Sequence, residues 1–100
     1  MMNREEIAWA AGLFEGEGCF SAQTVPSGVY PLAFLSMGDL DVVRRFRGVV
    51  GIGQIYAGRM QKGAKKVQHR WQTTNFEDFQ AVVAMLWGWL GPRRRARATE

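Results

Sequence analysis

The sequence contains little cysteine and no long apolar run. Its single cysteine, Cys19, cannot form a disulfide within the chain, so we expect a reducing, cytoplasmic environment. No apolar stretch approaches the roughly 18 residues that a membrane span needs, which argues against a membrane protein. Residues 1–6 are polar and acidic before the chain turns apolar, an order that is wrong for a secretory signal. Whether a prokaryotic, phage or organellar genome encodes the chain is left open.

The remaining composition indicates one folded domain. The chain has 100 residues, of which 47% are hydrophobic, and it contains four tryptophans, enough for a packed core. Disordered chains have fewer aromatic residues and a larger net charge. We predict a single domain over residues 1–92, followed by a basic tail over residues 93–100.

Positive charge is concentrated in the second half of the chain. Residues 1–50 hold four basic residues against six acidic ones, whereas residues 51–100 hold nine against three. The excess comes from two clusters, at residues 62–70 and 93–97. Clustered positive charge is typical of nucleic-acid-binding proteins, although many basic proteins bind no nucleic acid.

Capping residues and turn residues divide the chain into seven elements. Asn3, Asp39 and Asn75 are placed to begin helices, and glycines or a Gly-Pro pair follow where each helix should end. The predicted helices cover residues 4–16, 40–50 and 76–90, and the predicted strands cover residues 19–25, 29–37, 54–59 and 67–74. A basic turn over residues 62–66 joins the last two strands. The order is that of an α+β fold, αββαββα.

The first helix has a surface of small residues and no polar side chain between Ile7 and Phe14. Such a helix must be buried on every side. Glycine within a helix costs about 1 kcal/mol relative to alanine, so two of them need compensation. A second copy of the same helix, packed across a two-fold axis, supplies it; alternatively, Gly16 simply belongs to the helix end. The residues predicted for this dimer interface are Ala8, Ala11, Gly12 and Gly16.

Two carboxylates, Glu15 and Glu17, lie at the end of this helix. Charged groups beside a buried helix need partners or a chemical role. In a two-fold dimer the two copies of Glu17 would approach each other and form a site for a hard cation such as Mg²⁺. The alternative is that both are solvated carboxylates at a helix end.

The segment that carries these residues, Ala10-Ala11-Gly12-Leu13-Phe14-Glu15-Gly16-Glu17-Gly18, resembles the LAGLIDADG motif of homing endonucleases. It departs from the motif at five positions. Ala10 replaces the first Leu, Phe14 the Ile and Gly16 the second Ala, and glutamate replaces Asp at both acidic positions. Trp9 and Cys19-Phe20 are similar to the sequence context of that motif. The resemblance covers essentially the whole chain and implies an antiparallel sheet with helices on one face.

A chain with one motif implies, by this resemblance, a homodimer that hydrolyses phosphodiester bonds in a roughly palindromic double-stranded DNA target. The last acid of the motif corresponds to Glu17, which would bind the divalent cation with help from the Gly16 carbonyl. Metal ions of this kind activate water and stabilise the leaving oxygen. Arg93 stands near the place of a basic residue close to the active site in this family.

The resemblance further implies that the outer face of the sheet lies in the major groove. Strand alternation assigns residues to that face, and glutamine and arginine are suited to adenine and guanine edges. The second strand is apolar on both faces, so either it is a central strand that contacts thymine methyl groups or its register is different. We expect His69 to be a half-buried structural residue. The predicted DNA contacts are Cys19, Ser21, Gln23, Val25, Gln54, Tyr56, Gln68, Arg70 and Gln72, with Arg94 and Arg95 at phosphates unless the tail is merely solvated.

Two other functions remain open at this point. Some relatives have lost cleavage and act as DNA-binding regulators or RNA-splicing factors, so a catalytically inactive DNA- or RNA-binding module of the same fold is the alternative. A small oligomeric structural protein is a third hypothesis, and it predicts no salt-sensitive binding of DNA.

Overall fold

The computed structural model describes residues 3–56, 58 and 67–99. These residues form four α-helices and four strands, with the strands in two consecutive pairs, and a short 3₁₀-helix, Trp87–Trp89, follows the third helix. The helices are α1 (Arg4–Glu17), α2 (Leu40–Val50), α3 (Phe76–Leu86) and α4 (Pro92–Ala98). The strands are β1 (Gly18–Val25), β2 (Gly28–Met37), β3 (Gln54–Tyr56) and β4 (His69–Gln72). The predicted α+β order is confirmed.

The three long helices begin at the predicted capping residues. The side chain of Asn3 accepts hydrogen bonds from the first-turn amides of α1, and Asp39 and Asn75 do the same for α2 and α3. These bonds satisfy amides that have no partner inside the helix. Gly51 ends α2 in the left-handed conformation, with φ of 77°, which glycine adopts without strain.

The four strands form one antiparallel sheet in the order β1-β2-β4-β3. β2 is therefore a central strand, and its contact with thymine methyl groups stays a prediction. β4 is shorter than predicted because β2 ends at Met37, which pairs with His69, the first residue of β4. β3 ends at Tyr56, and the predicted basic turn over residues 62–66 lies outside the described residues.

The core fills the space between one face of the sheet and the helices. Trp71 on β4 is fully buried, its ring packs edge-on against Phe46 of α2, and its indole N–H donates to the Ile52 carbonyl at 2.9 Å. Phe14 of α1 packs against Phe46 and against Phe20 of β1. The expected layer of helices on one face of the sheet is confirmed.

The C-terminal segment differs from the prediction at two points. α3 ends at Leu86 instead of residue 90, because the chain tightens into the 3₁₀-helix, whose end is closed by Leu90 N–H donating to the Trp87 carbonyl. The predicted basic tail, residues 93–100, contains most of α4, which lies against β1. The proposed boundary after residue 92 therefore falls inside a helix, and Ala98 packs against the core.

None of the helices in the described part of the chain is both long and apolar enough to cross a lipid bilayer.

Candidate nucleic-acid interface and metal site

The two motif carboxylates at the end of α1 have different surroundings. Glu15 is partly buried, and its Oε2 accepts a hydrogen bond of 3.2 Å from the backbone amide of Gly91, the residue that caps α4. Glu17 is exposed and, within the described residues, makes no hydrogen bond or ion pair. Glu15 thus holds the C-terminal helix in place, and Glu17 is the carboxylate that is free to bind a ligand.

The position of Glu17 is fixed by a tight junction between α1 and β1. Gly18 directly follows it, and the Gly18 amide donates to the Phe14 carbonyl. A Cβ at Gly18 would overlap the ring of Phe14, which is fully buried, so only glycine fits. The last residue of the helix is therefore held at the edge of the core.

The outer side of α1 carries three of the four residues predicted for the dimer interface. Gly12 and Gly16 are exposed, Ala8 is half-buried, and we call these three residues the small-residue surface. Ala11 is a correction, because it is 0% exposed and belongs to the core of the protomer. At Gly12 and Gly16 an added Cβ would meet nothing within 4 Å, so packing within the protomer does not require glycine at either position.

A tryptophan that we did not assign to any site lies on the same side of the molecule. The guanidinium of Arg45, on α2, stacks over the ring of Trp9 at 3.9 Å from its centre. Trp9 is only partly buried. Trp9 directly precedes the motif in the sequence, but only the packing of α2 against α1 shows that Arg45 covers its ring.

The sheet register places the predicted DNA-contacting residues of the strands on one face, opposite the helices. We call this the outer sheet face. Gln23, Gln54 and Tyr56 are exposed there, and Gln68 is an exposed residue one position before β4. The remaining predicted residues on this face are half-buried: Cys19, Ser21, Val25, Arg70 and Gln72. Their joint placement is what the structure adds; their contacts with DNA stay a prediction.

The central strand contributes an apolar part to the outer sheet face. Leu32 is opposite Ser21 and Phe34 is opposite Cys19, so both side chains lie on the same face as the predicted contacts. Tyr30, opposite Gln23 and 48% exposed, also lies there and was missed by the sequence analysis. The alternation that placed Leu32 and Phe34 together would have identified it.

Arg70 on the outer sheet face is held by contacts with two neighbouring side chains. Its Nε donates to Oε1 of Gln72 at 2.8 Å, and its guanidinium carbon lies 4.0 Å from the centre of the Phe34 ring. The contacts on two sides hold the guanidinium in one place without neutralising its charge.

The structure brings a tail arginine other than Arg93 and Arg95 to the last turn of α1. Arg94 donates from Nη2 to the Glu15 carbonyl at 3.1 Å, and its Nε is buried without a partner in the described structure. Arg93 is exposed and forms no hydrogen bond or ion pair with the described residues. Arg95 turns toward the 3₁₀-helix, where it donates to the Trp87 carbonyl. Arg94 thus contacts the last turn of α1, whereas no contact among the described residues supports the role predicted for Arg93.

His69 is half-buried, as expected, and has a structural partner. Its Nδ1 accepts a hydrogen bond of 3.2 Å from the Gly58 amide. This contact ties the start of β4 to Gly58, which follows β3.

One protomer does not contain a complete metal site in the part of the chain that the structure describes. No group of three or more His, Cys, Asp or Glu side chains converges there. The oxygen donors at the end of α1 that we assign to the site are the Glu17 carboxylate and the Gly16 carbonyl, which lies in the last helical turn. These are hard oxygen donors of the kind that Mg²⁺ prefers, but they are too few to hold the ion alone.

Solved structures resemble this chain in fold. The homing endonuclease I-CvuI, crystallised with the I-CreI target in 2 mM Mg and with its DNA not cleaved, matches with a TM-score of 0.76 and 18% identity over 97% of this chain and 65% of its own. The group I intron-encoded homing endonuclease I-CeuI, complexed with DNA, has a TM-score of 0.73, 17% identity and coverages of 99% and 53%. The archaeal intron-encoded enzyme I-Vdi141I, also complexed with DNA, has a TM-score of 0.71, 16% identity and coverages of 93% and 62%.

This likeness confirms that the chain has the LAGLIDADG homing endonuclease fold, as the motif indicated. The chain spans about 65% of the length of the I-CvuI chain. No protein-family model and no curated protein matches the sequence.

Proposed function

We propose that this protein is a homodimeric, divalent-metal-dependent DNA endonuclease that cuts a long, roughly palindromic double-stranded target, as a homing endonuclease does. The observation that carries the proposal is the pairing of an unpartnered, exposed Glu17 with the adjoining small-residue surface on α1. The fold supports it, because the chain resembles DNA-bound homing endonucleases over nearly its whole length.

The dimer follows from the two exposed glycines of α1. Gly12 and Gly16 lie in open space, where alanine would favour the helix by about 1 kcal/mol. A second α1 packed against them would explain why both positions are glycine, because two helix backbones can approach closely where no Cβ lies between them. Because Glu17 adjoins Gly16, a two-fold axis along this surface would bring both copies of Glu17 into one region.

A dimer also completes the donor set for a cation. Two Glu17 carboxylates, two Gly16 carbonyls and phosphate oxygens of DNA would give Mg²⁺ the oxygen ligands that one protomer lacks. Bound there, the ion would activate a water for attack on phosphorus and stabilise the leaving oxygen. Arg94, beside Glu15, would place positive charge near the phosphate backbone.

The outer sheet face is the proposed surface for DNA. It presents Gln23, Gln54 and Gln72, whose amides both donate and accept hydrogen bonds, together with the cation of Arg70. Such groups suit the donor and acceptor pattern of base edges in the major groove. Two copies of this face related by a dyad would read two similar half-sites.

Glu17→Gln tests the catalytic part of the proposal. The amide keeps the size of the side chain but removes the negative charge that binds the cation, so we expect at least about a hundredfold loss of cleavage with duplex binding retained. Cleavage would be measured on a library of randomised palindromes with Mg²⁺, with Mn²⁺ and with chelator. Glu6→Gln, at an exposed position in the first turn of the same helix, is the matched control and should cleave normally.

Two other results would point elsewhere. A wild-type protein that binds duplex DNA but never nicks any member of the library with either metal is a binding module of the same fold. The second result is a protein that does not bind duplex DNA, or that binds it with an affinity that does not fall as the salt concentration is raised. Such a protein lacks the phosphate contacts that the proposed function requires.

A further inference from the structure

Among the described residues of the outer sheet face, Arg70 is an arginine whose guanidinium contacts two neighbouring side chains. Arg70 and Gln72 lie on the same face of β4, and Phe34 on β2 is directly opposite Gln72. The guanidinium lies over the Phe34 ring and donates from Nε to Gln72, as described above. These three side chains form a unit, which we call the Arg70 clamp.

The clamp fixes which donors of Arg70 face outward. Arginine has five N–H donors and no acceptor, so the Gln72 atom that it contacts must be the amide oxygen. Nε is occupied by that contact, and neither Nη atom has a partner in the described part of the chain. The two Nη groups therefore remain as a parallel pair of donors.

The same contact changes what Gln72 offers to DNA. Recognition of adenine by glutamine needs the amide oxygen to accept from the adenine N6 amino group while the amide nitrogen donates to N7. In the clamp, Arg70 engages one of the two lone pairs of that oxygen, so the orientation of the amide is set by Arg70 before a base arrives. Arg70 consequently presents the donors of the clamp, and Gln72 orients it.

We propose that the Arg70 clamp is a specificity element that reads guanine, with Arg70 donating from both Nη groups to O6 and N7 and with Gln72 acting as its positioning residue. Guanine is the base that shows two acceptors side by side in the major groove. This inference rests on the proposed DNA-binding function and assigns a base preference to one position in each half-site.

Preorganisation is the physical reason for the preference. A free arginine side chain on a surface loses rotamer freedom when it binds a base, whereas Phe34 and Gln72 restrict that freedom before DNA arrives. Removing Gln72 should therefore weaken selection of guanine without changing the base selected.

The test is selection of bound sequences from a library of randomised duplexes, with the full-length protein and no metal added. Wild type should select G at one position in each half-site, by about tenfold over the other bases, which is the size that one bidentate contact gives. Arg70→Ala should bind duplexes but lose selection at that position alone. Gln72→Ala should retain G with a smaller preference, and Arg70→Lys, which cannot form the paired contact, should also select G more weakly.

Gln80→Ala, at an exposed position on α3 on the other side of the sheet, is the matched control and should select the same bases as wild type. Selection of A at this position by wild type, or persistence of the G preference in Arg70→Ala, overturns the inference while leaving DNA binding intact. If wild type selects no duplex and shows no salt-sensitive binding, the proposed function fails, and the inference fails with it. Thermal unfolding of each variant shows that a lost preference is not lost folding.

Discussion

The glycines in α1 and directly after it have different surroundings, which the sequence alone does not reveal. Gly18 is pressed against the ring of Phe14, while Gly12 and Gly16 face open space only a few residues earlier on the same helix. The first is required by the protomer, and the other two are explained by the proposed partner helix. Substitution at each position can therefore separate folding from association.

Gly18→Ala should destabilise the protein by about 1–3 kcal/mol, because a Cβ at this position forces the buried Phe14 ring or the β1 backbone to move. Urea unfolding monitored by tryptophan fluorescence would measure the change. Gly48→Ala is the control, since Gly48 lies in α2 with nothing near its missing Cβ, and it should gain up to about 1 kcal/mol from helix propensity. A Gly18→Ala protein as stable as wild type would show that the junction is looser than described.

At the scale of elements, the C-terminal helix depends on a contact with the end of α1. Seven residues are too few for a stable isolated helix. α4 is instead held by Glu15, whose carboxylate and carbonyl accept from Gly91 and Arg94, and by Arg97, whose Nε donates to the Phe20 carbonyl. Its position is thus linked to the element that carries Glu17.

Glu15→Ala should loosen α4 while leaving the core folded, because it removes the acceptor for the Gly91 amide but no core side chain. Hydrogen exchange should become faster in residues 92–98, and trypsin should cleave at the tail arginines earlier than in wild type. Glu5→Ala, exposed in the first turn of α1, should leave both measurements unchanged. Equal protection of α4 in wild type and Glu15→Ala would mean that other contacts hold the helix.

At the scale of the whole molecule, the proposal requires two chains. The described part of one protomer supplies one unpartnered motif carboxylate and no convergent metal-binding group. The outer sheet face of one chain would read only half of a palindromic target. Association therefore determines both catalysis and specificity in the proposed function.

Gly12→Leu should weaken association of the two chains, since a bulky side chain would separate helices that pack through the small-residue surface. Sedimentation velocity at micromolar concentrations should show a dimer for wild type and a shift to monomer for the variant, with a dissociation constant raised at least about tenfold, or 1.4 kcal/mol. Gly48→Leu, exposed on α2, should sediment like wild type. A wild-type protein that remains monomeric even with DNA present would refute the dimer.

The features that the sequence alone determined are local in the chain. The capping residues Asn3, Asp39 and Asn75 and the alternation along the strands act over a few neighbouring positions, so helix starts and strand faces could be predicted correctly. The first helix was likewise identified from one contiguous motif, and the role assigned to Glu17 at its end stays a prediction. Ala11 was misassigned because a helical wheel shows which residues share a side but not where the core begins.

Only the tertiary structure decided how the two motif carboxylates differ and what the basic tail does. The contacts of Glu15 join residues that are 76 and 79 positions apart, and no periodicity or motif reports such a pairing. The Arg70 clamp likewise depends on the register of β2 against β4, which sets Phe34 opposite Gln72. Local patterns encode secondary structure, whereas the chemistry of each polar group depends on which distant segment packs against it.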